Sequence, residues 1–175
     1  YHRALDGRNA LLKIERPSDE ELRAFEKTMF TSAVIINQTR VAVIPELAET
    51  LRATCARSGF PNKGADLVFQ PDSPIDALAE LWEKNRPAEK ITGTTLRGPQ
   101  KDDFTVLFEG QDASDFASEG QQRLLALALC LGRLSRDSTR SSTHPVILAD
   151  DVLGELDETR RKAFWQEVGD SYQVI

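Results

Sequence analysis

Ser118-Glu119-Gly120-Gln121-Gln122-Arg123, followed downstream by Val146-Ile147-Leu148-Ala149-Asp150-Asp151, is the stretch on which the reading of this chain turns. From Gln121 to Leu134 the apolar residues Leu124, Leu125, Leu127, Ala128, Leu131 and Leu134 recur at helical spacing, which predicts a helix opening just after a Ser and a Gly. The first turn of a helix has N–H groups without intrahelical acceptors and the positive end of the dipole. A hydroxyl there, with a glycine that lets a ligand approach the backbone, suits a phosphate. Ser in this position also serves as an ordinary N-cap.

The second stretch is a continuous apolar run, the pattern of a strand buried on both faces in a parallel sheet. It ends in two adjacent carboxylates, Asp150 and Asp151. Their repulsion calls for a compensating cation or ligand, and open α/β sheets bind ligands at that edge. Magnesium fits, as a hard cation that takes oxygen ligands. Gly154-Glu155-Leu156-Asp157 follows, with Asp157 placed to cap a helix from Glu158 to Val168.

Upstream the chain is mostly helical in pattern. Tyr1 to Ile14 reads as a helix with Leu5, Leu11 and Leu12 on one side, broken at Pro17. Ser18 with Glu21 forms a capping box. From there Leu22, Phe25, Met29, Ala33, Ile36, Val43, Leu47 and Leu51 keep helical spacing, and the stripe resumes in phase beyond Pro45, predicting one long, kinked helix. Leu67–Phe69 and Thr94–Leu96 read as short strands, and a helix through Leu78, Leu81 and Trp82 is expected to stop before Pro87. Phe104, Val106 and Phe108 alternate as on a half-buried strand. The Ser, Thr and Arg residues from Ser135 to Thr143 read as a loop.

The 175 residues, 40% hydrophobic, suffice for one domain or two small ones. No apolar run is long enough to cross a bilayer, and no leader marks the chain for secretion. It opens on Tyr1 inside a helical pattern, which reads as a piece of a longer protein. Cys55 and Cys130 lack further ligands at metal spacing, so free thiols and no zinc site are expected. The net charge of −6 argues against a uniformly basic nucleic-acid binder. Two basic stretches remain as phosphate-contact candidates, with Arg3, Arg8 and Lys13 in one and Arg86, Lys90 and Lys101 in the other.

In this order, the Ser-x-Gly-Gln-Gln-Arg helix, the Asp-Asp strand and Glu-Leu-Asp resemble the C-terminal half of the RecF family, bacterial recombination-mediator ATPases. Arg3-Ala4-Leu5 and Arg8-Asn9-Ala10-Leu11-Leu12-Lys13 are similar to the family's approach to its arm. Gly98-Pro99-Gln100-Lys101-Asp102-Asp103 resembles its Gly-Pro-His-Arg-Asp-Asp motif, with Gln100 and Lys101 in place of His and Arg. The matches run from about Arg3 to about Arg161.

The resemblance implies an α/β fold: the C-terminal lobe of an ABC-type (P-loop NTPase) head, residues 92–175, joined to a mostly α-helical arm, residues 1–91. It implies that Ser118, Gly120 and Gln121 contact the γ-phosphate of ATP held by the other subunit. Asp150 would hold Mg2+ through water. Asp151 would orient the attacking water, where most ABC ATPases have Glu, and Asp157 would lie in the loop crossing the dimer interface. The intact protein would be a weak, DNA-dependent ATPase of DNA replication, repair, recombination and the SOS response. It would form an ATP-dependent homodimer on double-stranded and gapped DNA and help mediator proteins load recombinase, in the cytoplasm and without a membrane. The chain contains no Gly-x-x-x-x-Gly-Lys-Ser/Thr loop, so by itself it is expected neither to bind ATP tightly nor to hydrolyse it. The alternatives are a non-catalytic SMC-like dimerisation or partner-binding module, and a transporter-type ATPase subunit, disfavoured by the long arm and the Gln-Gln-Arg.

Overall fold

The computed structural model describes residues 1–57, 64–140, 146–148, 158–168, 172, 173 and 175, with 135–140, 159, 160, 163, 164 and 167 described by backbone alone. The helices are α1 (His2–Leu12), α2 (Asp19–Arg57), α3 (Leu78–Thr92), α4 (Ala113–Phe116), α5 (Glu119–Arg140) and α6 (Glu158–Val168), and the strands are β1 (Asp66–Gln70), β2 (Asp103–Phe108) and β3 (Gln111–Asp112). The strands form one sheet in the order β1-β2-β3. In the β2–β3 hairpin Phe108 opposes Gln111. Its two-residue turn has Glu109 at φ 53° and Gly110 at φ 81°, the left-handed pair that matches strand twist and that Gly adopts freely.

Two compact units emerge, 1–42 with 69–104, and 43–68 with 105–175. They interleave in sequence rather than dividing at residue 91. The reason lies in α2: Leu51 and Cys55, from its second half, share a core with Leu124, Leu125, Ala128 and Leu131 of α5. In the first unit Leu5, Met29, Ala33, Leu78 and Trp82 form a separate core.

Ser18 caps α2 as its sequence predicts, accepting from the Glu21 N–H at 3.3 Å. The helix then runs 39 residues through Pro45. Pro87 likewise lies inside α3, correcting the expected stop. Each proline removes one helical donor, but both sit on exposed positions, where solvent can bond the freed carbonyl. Helix α3 ends instead at Gly93, whose N–H reaches Glu89 O.

Thr94–Leu96 is not a strand. Side chains satisfy its backbone: Asn9 Oδ1 accepts from Thr95 N–H and Glu89 Oε1 from Leu96 N–H, each at 2.8 Å. Nor does a loop begin at Ser135, because α5 continues to Arg140; no Gly or Pro interrupts it after Leu134.

At Val146–Leu148 the hydrogen bonds fit the parallel expectation. The Ile147 N–H donates to Gln173 O at 2.8 Å, and Ile147 O accepts from the Ile175 N–H at 2.9 Å. Among the described residues only one face of this stretch is covered. Ile147 packs on the core, whereas Val146 and Leu148 are 52% and 78% exposed. Successive side chains alternate across a strand, and no described residue covers the second side.

Close packing sets the spacing of α2 and α5. A Cβ on Gly132 would lie 2.7 Å from Thr50 Cγ2, so only glycine allows this approach.

Candidate functional site

The hairpin leads through α4 into the turn 117–121. Asp112 caps α4, accepting from the Ser114 N–H at 2.9 Å and its hydroxyl at 2.7 Å. These bonds hold the Asp112 carboxyl below the usual carboxylate range. Helix α4 buries its small residues Ala113 and Ala117, while Phe116 is 66% exposed. Ser118 then caps α5 reciprocally with Gln121. The Gln121 N–H donates to Ser118 Oγ at 3.4 Å, and Gln121 Oε1 accepts from the Ser118 N–H at 2.8 Å. The spacing is that of a capping box with Gln in the third position.

Capping leaves this turn rich in unused donors. Among the described residues Ser118 Oγ is bonded only as an acceptor, which leaves its own proton to donate. Gln121 uses its oxygen, leaving its amide NH2. The N–H groups of Glu119 and Gly120, in the first turn, have no intrahelical acceptor. The acid of this turn, Glu119, pairs with Arg123 four residues on, at 2.5 Å. Gly120 is exposed, and a Cβ on it would meet nothing within 4 Å. Packing therefore does not require glycine, although glycine costs a helix about 0.5–1 kcal/mol relative to Ala. A surface that offers donors and no bulk suits an oxyanion approaching from outside.

Ser118, Gly120 and Gln121 are thus brought together. Asp150, Asp151 and Asp157 lie outside the described residues. Among the described residues no group of three or more His, Cys, Asp or Glu is placed to hold a metal, and no helix is long and apolar enough to cross a membrane.

The basic candidates separate into two sets. Arg3, Lys13 and Lys101 are exposed, and Lys90 pairs with Asp19 at 2.8 Å, which holds that carboxyl below its usual range. Arg8 and Arg86 are corrections, because both are buried at 0% and 6% exposure. Arg8 bonds Glu26 and Glu89, each at 2.7 Å, and Thr95 Oγ1 at 2.7 Å. Arg86 bonds Glu26 at 2.8 Å. Two guanidiniums facing two carboxylates make a neutral buried network joining α1, α2 and α3, closed to phosphate. A sequence signal existed: Arg8 falls on the same stripe as Leu5 and Leu12, and Arg86 on that of Leu78 and Trp82.

The Gly-Pro-Gln-Lys-Asp-Asp segment is held from several directions. Arg40 bonds Pro99 O at 2.7 Å and Asp102 at 2.6 Å. Tyr1 donates to Gln100, and the Trp82 indole to Arg97 O at 2.9 Å. Burial raises the pKa of Asp72, but bonds from Ser73, Gly98 N–H and Arg97 outweigh it and hold the carboxyl below its usual range. Lys101 and Asp103 stay exposed.

No protein-family profile matches the chain. Among curated proteins, the DNA replication and repair protein RecF of Moorella thermoacetica is 34% identical over 179 residues, covering the whole chain and 48% of that protein. The protein of the same name from Thermosynechococcus vestitus is 32% identical, again over the whole chain and 49% of its own length. A solved structure of the recombination mediator protein RecF with ATP, from the RecFOR pathway, superposes with a TM-score of 0.86 at 24% identity, over all of this chain and half of the other. The chain therefore spans about half the length of the relatives it matches.

Proposed function

Because the chain belongs to the RecF family, we propose that it is the C-terminal part of a DNA replication and repair ATPase whose two copies close on ATP. The observation that carries this reading is the donor-rich turn at Ser118–Gln121, where nothing in the packing requires Gly120. In the intact protein this turn receives the γ-phosphate of ATP held by the opposite copy. Ser118 donates its hydroxyl proton and Gln121 its amide, while the first-turn N–H groups add positive potential. Asp150 would hold magnesium, which when bound would supply charge neutralisation at the phosphates. Asp151 orients the attacking water with a shorter reach than Glu, consistent with slow turnover and a switch-like role. Asp157 belongs to the crossing loop.

The first compact unit is the arm and the second the lobe. The uncovered side of Val146 and Leu148 is where the rest of the ATPase head packs. DNA is met through its backbone phosphates, with Arg3, Lys13 and Lys101 as contacts. The protein acts in the cytoplasm with mediator proteins that load recombinase at single-strand gaps.

Sedimentation of the intact protein on gapped DNA, with and without ATP, tests this. Wild type is expected to dimerise with ATP. Ser118→Arg, which fills the phosphate position, is expected not to, and Asp151→Asn to dimerise but not release. Identical behaviour of all three would refute the assigned roles.

A further inference from the structure

Two consecutive glutamines follow the signature Ser and Gly, and the nucleotide reading uses only the first. Gln122 is half-buried. Its amide donates to Ala117 O at 3.0 Å and to Ser114 O at 3.1 Å. Ala117 O and the Ser118 N–H belong to one peptide group. That N–H is already held, at 2.8 Å, by Gln121 Oε1. The two side chains therefore grip opposite edges of a single peptide plane, 117–118. The second bond from Gln122, to Ser114 O, anchors the grip to α4, itself capped by Asp112 and closed by the Ala117 N–H to Ala113 O at 3.1 Å.

Peptide groups are planar. Fixing both edges of the 117–118 plane leaves only rotations about the Cα of Ser118 to place its hydroxyl, and the Gln121 N–H bond to Oγ restrains those. We propose that Gln122 is a positioning residue for the nucleotide site, acting through Ser118 by locking the 117–118 peptide in the orientation that presents the hydroxyl proton to the phosphate. The inference rests on the nucleotide reading given above. It also accounts for the doubled glutamine: one amide must accept and the other donate, and only a pair of amides one residue apart meets both edges here.

Preorganisation of this kind raises affinity by removing an ordering cost at binding. The test uses the intact protein and four forms: wild type, Gln122→Met, Ser118→Ala and the double variant. Methionine keeps the length and volume of the side chain and removes both bonds. ATP-dependent self-association is followed by sedimentation across an ATP titration. Gln122→Met is expected to weaken association about tenfold, the scale of one to two net hydrogen bonds, and to have no further effect when Ser118 is already Ala. A side chain that merely holds the fold would weaken both backgrounds equally. Equal losses in the two backgrounds, or no loss in Gln122→Met, would overturn the proposal while leaving the nucleotide reading intact. If Ser118→Ala associates like wild type, the nucleotide reading fails and takes this inference with it.

Discussion

The buried network around Arg8 and the exposed turn at Ser118 are made of the same kinds of group, and they answer opposite needs. In the first, Arg8, Arg86, Glu26, Glu89 and Thr95 are all nearly inaccessible, and the charges cancel within the network. In the second, Glu119 pairs with Arg123, and among the described residues hydroxyl, amide and backbone donors are left over. Buried charges paired with one another mark scaffold, with Arg86 Nε the one buried side-chain atom left without a partner among the described residues, and a surplus of one polarity at the surface marks a place for something from outside. The difference explains why an arginine in a basic stretch is a poor guide to phosphate contact unless its burial is known.

The contrast can be broken at several points, starting with the largest effect. Arg8→Met leaves Glu26 with Arg86 alone and removes the one ion pair described for the buried Glu89, and a broken buried pair costs about 3–5 kcal/mol. Urea unfolding should show that loss. A phosphate-contact role for Arg8 would instead weaken DNA binding with the fold unchanged. Gly132→Ala forces a Cβ to within 2.7 Å of Thr50. It should cost about 1–3 kcal/mol by overpacking, with the loss read in the same unfolding experiment.

Asp72 offers a pH test. Its folded pKa is depressed below the ordinary 3.8, so the stability it contributes is present above that value and is lost as pH falls through the folded pKa. Asp72→Asn should therefore be less stable than wild type by about 1–2 kcal/mol at neutral pH. The gap should close as the pH drops below 4. A gap independent of pH would mean that the carboxylate charge is not what holds Gly98 and Arg97.

Much of this architecture was legible in the sequence, because apolar spacing reports directly on what packs. The long α2 stripe, the β2 strand and the helix after the signature all follow from it. The failures share a cause. Local preference alone marks Pro87 and the Ser135 stretch as breaks, whereas an exposed proline loses little and a helix without Gly or Pro propagates. Thr94–Leu96 alternates like a strand, but Asn9, far upstream, and Glu89, at the end of the preceding helix, bond its backbone instead. At the candidate site, residue type and order point to Ser118, Gly120 and Gln121, and the cap at Ser118 follows from the same pattern. Spacing could not show that Gln122 reaches the Ala117 carbonyl, because which amide meets which oxygen is settled only in three dimensions.

The most direct measurement concerns Gly120, whose missing side chain nothing among the described residues requires. Gly120→Ala should be measured for urea unfolding and, in the intact protein, for ATP-dependent self-association. A Cβ there meets open space and improves the helix, so the variant should be more stable by about 0.5–1 kcal/mol. It should nevertheless associate more weakly with ATP, because the methyl group occupies the approach of the phosphate. A variant that gains stability and keeps wild-type association would contradict the account, since the glycine would then serve neither the fold nor a ligand.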